Sequence, residues 1–125
     1  MSASDSAEWL RFAETDLTAA RRLIAAEPLP STAAFHAQQA AEKAMKAALV
    51  ARNARAPKTH DLLALARLLP DLNGLPPDAA LDQLTYYAVD SRYPDDFQDV
   101  TADEAHKAIE TAEAVLVAVR AALGA

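Results

Sequence analysis

The chain has 125 residues, the length of one domain able to bury roughly two thirds of its unfolded surface. Hydrophobic residues make up 52% of it, yet aromatics only 6% and glycines number two; alanine-rich helices have this composition and a β-sandwich does not. The absence of cysteine excludes disulfides, thiol nucleophiles and thiolate zinc sites, and a net charge of −6 argues against general nucleic-acid or membrane-surface binding.

The opening MSASDSAEW has neither a basic region nor an apolar core, so no signal peptide is expected. No apolar run approaches the ~20 residues needed to cross a bilayer, and a cytoplasmic location is expected. Asp5 followed by Glu8 reads as a capping box for a first helix. Trp9, Ala13, Asp16, Leu17, Ala20 and Ile24 then recur at helical spacing, widened by Phe12 and Leu23. This helix ends before Pro28.

Ser31 or Thr32 is placed to cap a second helix running to about Arg55, antiparallel to the first because the connector is short. Within it, Ala37, Ala41, Ala44 and Ala48 fall on one side, a seam of methyl groups that lets a neighbouring backbone approach. Phe35, Met45 and Leu49 lie opposite, with Gln39, Glu42 and Lys46 among them as a polar line. A solvated edge beside a core stripe is the plain explanation of that line. Glu42 and Lys46 form an i, i+4 pair in the favourable order.

Pro57 closes the second helix. Thr59 reads as the cap of a short third helix carrying Leu62, Leu65, Leu68 and Leu69 and stopping at Pro70, with Asp61 in its first turn. Asn73-Gly74 and Pro76-Pro77 form an irregular link. Asp78 starts a fourth helix with Leu81, Leu84, Thr85 and Ala88 on one face, running through Tyr86 and Tyr87 towards Asp90. After the loop SRYPDDFQDV, Thr101 and Glu104 form a further capping box, opening a last helix that Gly124 terminates. With no strand-like alternation and no repeat, the expected fold is all-α, an up-and-down four-helix bundle with an additional short helix, in one domain over residues 1–125.

Chemistry is less explicit. His36, His60 and His106 have no metal-ligand spacing, and the loop carboxylates Asp95, Asp96 and Asp99 lack the glycine and terminal glutamate of a calcium loop. No metal and no cofactor is expected. His60 is read either as a capping or packing residue or as a functional one; His106 as solvent-exposed. Phosphate loops and nucleophile elbows are excluded for want of glycines and of the serine setting. Arg92, followed by Tyr93 and Pro94, is placed for a bidentate contact to carboxylate or phosphate, or for an ion pair with Asp90, Asp95 or Asp96.

In order, Gln38-Gln39-Ala-x-Glu42-Lys43-x-x-Lys46, Thr59-His60-x-Leu62 and Arg92-Tyr93-Pro94 resemble the HEPN domain, named for higher-eukaryote and prokaryote nucleotide binding. The resemblance runs from Trp9 to Leu123 and includes YYAVDSRYPDD and TADEA. It implies an all-α bundle that pairs into a homodimer, partner to a small nucleotidyltransferase or part of a toxin–antitoxin pair. It also implies that Gln39, Glu42, Lys43 and Lys46 face a ligand cleft shared with Arg92 and Tyr93, the ligand being a nucleotide. Ribonuclease members carry an Arg and a His separated by four to six intervening residues; counted from Arg92, those positions hold Phe97, Gln98 and Asp99. A metal-independent ribonuclease toxin using Arg92, with His60 supplied by the fold, is therefore the alternative to a binding module. A purely structural dimerisation subunit is the third reading.

Overall fold

The computed structural model describes residues 3–26, 29–88 and 100–125. They form α1 (Ala3–Ala25), α2 (Pro30–Ala51), α3 (Leu62–Arg67), α4 (Asp78–Thr85), a 3-10 turn (Tyr86–Ala88) and α5 (Ala102–Leu123), with no strand among them. The all-α expectation holds.

The central helix is α2, which packs against every other element. Its alanines explain this. Ala33, Ala34, Ala37, Ala40, Ala41, Ala44 and Ala47 are fully buried and share one broad face, an arc of roughly 140° at about 100° per residue, where neighbours approach closely, while Gln38, Glu42, Met45 and Leu49 are buried on the adjoining side. Besides Met45 of α2 itself, the larger core side chains come from around it: Leu17 from α1, Leu62 and Leu65 from α3, Leu81 and Leu84 from α4, Val115, Leu116 and Val119 from α5.

Side-chain contacts fix the helix directions. Ser6 Oγ donates to the Ala47 carbonyl at 2.9 Å, and Asp16 meets His36 further along, so α1 and α2 are antiparallel. Glu14 pairs with Arg120 and Arg21 with Glu113; in each helix the acid precedes the base by seven positions, a match that requires α1 and α5 to be antiparallel as well. Gly74 lies against Ala118, while Gln83, Leu84 and Tyr87 share a groove with Glu104, Lys107 and Ala108, so α4 runs opposite to α5. The order is up, down, up, down, with α3 and α4 together filling the third position.

Several helix ends differ from the sequence expectation. α1 already begins at Ala3, and Glu8 pairs with Arg11 at 2.6 Å. α2 begins at Pro30, whose missing N–H suits the first turn, with no side-chain cap from Ser31 or Thr32. It stops at Ala51, and Asn53 takes the left-handed conformation at φ 60°. Asp61, not Thr59, caps α3: its carboxylate accepts from the N–H groups of Leu63 and Ala64, while Thr59 Oγ1 accepts from the Asp61 N–H. His60 therefore precedes the helix. α4 is shorter than expected and passes into the 3-10 turn at Tyr86. The Thr101–Glu104 capping box and the left-handed Gly124 are as expected.

Candidate functional site

On α2, the polar line is not a solvated edge. Gln38 is fully buried, and Glu42 and Lys46 are 5% and 7% exposed. Their polar atoms are satisfied by one another. Lys46 Nζ donates to Glu42 Oε2 at 2.9 Å, and Gln38 Nε2 donates to Glu42 Oε1 at 3.2 Å. Gln39 Nε2 donates to Gln38 Oε1 at 2.7 Å, and the Lys46 ammonium lies 5.8 Å from the centre of the Trp9 ring, within cation–π range.

The network reaches the surface at His60. Its Nδ1 stands 2.8 Å from Glu42 Oε1, and its backbone carbonyl accepts from Gln38 Nε2 at 3.1 Å. Burial pushes the Glu42 carboxyl up, but hydrogen bonds from Lys46, His60 and Gln38, with the Lys46 charge, outweigh it and hold the group below its ordinary value. Glu42 is thus ionised and accepts only, so the His60 Nδ1 carries the proton of their hydrogen bond. Next to His60, the Leu62 N–H donates to Thr85 Oγ1 at 3.0 Å, which brings the end of α4 beside the start of α3.

A second cluster joins α1 to α2. Asp16 accepts from Lys43 Nζ at 2.6 Å through Oδ2, and its Oδ1 lies 2.9 Å from His36 Nδ1. Of the residues expected to share a cleft, Gln39, Glu42 and Lys46 therefore belong to one network with His60, whereas Lys43 turns away to Asp16. Arg92 and Tyr93 lie outside the described residues. His106 is exposed, as expected. No group of His, Asp or Glu side chains among the described residues is arranged to hold a metal.

Sequence reasoning gave Gln38 and Asp16 no role in the site. Both carried a signal. Gln38 stands four residues before Glu42 on the same helix face, and Asp16 interrupts an apolar stripe between Ala13 and Leu17.

An all-α bundle whose central helix buries an ion pair and an amide side chain defines the class; the comparisons supply the family. The HEPN domain model matches residues 6–122, and the chain belongs to that family. It is similar to TT1696 from Thermus thermophilus, with 30% identity, a TM-score of 0.78, and 93% of this chain and 96% of that one covered. It is also similar to ST0689, an archaeal HEPN homologue, with 27% identity, a TM-score of 0.70, and 94% and 97% covered. No functionally curated protein matches the chain.

Proposed function

We propose that this chain is a binding module: a HEPN homodimer that holds a nucleotide, or docks a small nucleotidyltransferase that uses one, as in a toxin–antitoxin pair. The observation that carries the reading is the buried Gln38–Glu42–Lys46 network ending at His60. Replacing a buried ion pair by apolar residues is often neutral or stabilising, so packing alone does not account for it. A site that must hold polar groups in place does. Both lysines of α2 are neutralised, by Asp16 and Glu42; in this reading Arg92 contacts the phosphates and Tyr93 supplies a ring for stacking.

Calorimetric titration with ATP, on the wild type and on Arg92→Ala, tests the nucleotide. Wild-type binding that weakens with salt and is lost in the variant is expected; equal binding by both, or by neither, refutes it. Light scattering at micromolar concentration tests the pairing, with twice the chain mass expected and a strict monomer at all concentrations refuting it.

One observation favours the ribonuclease reading: His60 is held by a carboxylate, the setting of a general base. Against it stands the lack of a His after Arg92. Incubation with single-stranded RNA separates the readings. RNA left intact supports the binding module; cleavage abolished by both Arg92→Ala and His60→Ala establishes the enzyme.

A further inference from the structure

His60 combines two properties that rarely coincide. Its side chain is 68% exposed and it sits in an irregular connector, where a ring is ordinarily free to rotate. Yet it is held twice by side chains of the central helix, at Nδ1 by Glu42 and at its carbonyl by Gln38. A surface imidazole needs neither contact to stay folded, and each draws on a buried polar group. Asp61, the adjacent acid, is committed to capping α3 and does not compete for the ring.

Fixing Nδ1 as the donor leaves the other ring nitrogen, Nε2, as a lone-pair acceptor in the neutral ring. With the ionised Glu42 behind it and a net charge of −6 around it, such an acceptor disfavours phosphate and favours an uncharged donor. Resting on the nucleotide-binding reading above, we infer that His60 contacts the ligand directly, accepting a hydrogen bond from a ribose hydroxyl or a base amino group, and that Glu42 and Gln38 are its positioning residues. His60 thereby sets which nucleotide is taken, while phosphate contact lies elsewhere.

The test compares ATP, 2′-deoxy-ATP, 3′-deoxy-ATP and inosine triphosphate by calorimetry on the wild type, His60→Ala and Gln38→Ala. His60→Ala removes an exposed side chain and leaves Glu42 its hydrogen bonds from Gln38 and Lys46, so a retained fold is expected. Wild type is expected to bind one analogue, the one lacking the recognised donor, roughly three- to tenfold more weakly than ATP, the range of one neutral hydrogen bond. His60→Ala is expected to bind ATP as weakly as that analogue and so to lose the discrimination, and Gln38→Ala to blunt it. The position of the sensitive analogue tells ribose from base. Discrimination that survives in His60→Ala, or no discrimination by wild type, overturns the inference while leaving nucleotide binding intact. A uniform weakening of all four ligands that salt removes also overturns it, by showing a phosphate contact. No binding of any of the four to wild type overturns the inference together with the nucleotide reading.

Discussion

Glu42 shows how a single residue couples the core to the surface. Its carboxylate takes hydrogen bonds from Gln38, Lys46 and His60, and together these hold its pKa below the ordinary 4.5. A carboxyl depressed in the folded state adds stability at pH values above that of the unfolded chain. The contribution is lost as pH falls through the lower, folded value. Stability of the wild type is therefore expected to fall more steeply below about pH 4.5 than that of Glu42→Gln, which has no such proton to take up. Asp71 and Glu104 are depressed too, by hydrogen bonds from Arg52 and from the Thr101 backbone, but both are present in either protein and cancel in the comparison. Urea unfolding midpoints measured from neutral pH downwards decide it: parallel curves would mean that Glu42 is not tied to folding. The Glu42–Lys46 half of this arrangement was legible in the sequence as an i, i+4 pair. The Gln38 bond to the His60 carbonyl and the Asp16–His36 contact were not. They join residues 22 and 20 positions apart, and helical periodicity carries no information across a connector.

At the scale of elements, capping separates what the sequence specifies locally from what packing decides. Thr101 and Glu104 satisfy each other's backbone N–H groups at 3.1 and 2.9 Å, an arrangement complete within four residues and readable from them. The start of α2 is different. Ser31 and Thr32 have the right chemistry, but Pro30 already occupies the first helical position and the Leu29 carbonyl accepts from the Ala33 N–H, so neither hydroxyl is needed as a cap. Likewise α2 ends at Ala51 before any proline forces it to, because Asn53 adopts the left-handed turn. These assignments predict unequal costs. Thr101→Ala should lower stability by about 0.5–2 kcal/mol. Thr32→Ala, on an exposed site without a capping bond, should stay within about 0.5 kcal/mol of wild type. Chemical denaturation of the two variants checks both, and equal losses would mean that α2 is capped after all.

Over the whole molecule, the arrangement of charge bears on what the protein can bind. The net charge of −6 was evident from composition, but not how the cations are used. At least six of the twelve basic side chains are in ion pairs: Arg11 with Glu8, Arg21 with Glu113, Lys43 with Asp16, Lys46 with Glu42, Arg52 with Asp71, and Arg120 with Glu14. Two of these pairs bridge α1 and α5 and two belong to the clusters on α2, so their cations are spent inside the fold. Affinity for a long polyanion comes chiefly from several lysines and arginines that each neutralise a phosphate and release its counterions. Pairing into a homodimer would double the net negative charge that such a polyanion meets. A mononucleotide makes no such demand, since one guanidinium and one positioned acceptor suffice. The prediction is that a fluorescently labelled, roughly 20-nucleotide single-stranded RNA shows no saturable anisotropy change with micromolar protein at about 0.15 M salt, the ionic strength at which exposed charges are screened beyond ~8 Å. ATP should bind under the same conditions. Saturable RNA binding that falls steeply with added salt would instead reveal a basic surface that the ion pairs do not silence, and would shift the balance towards a ribonuclease.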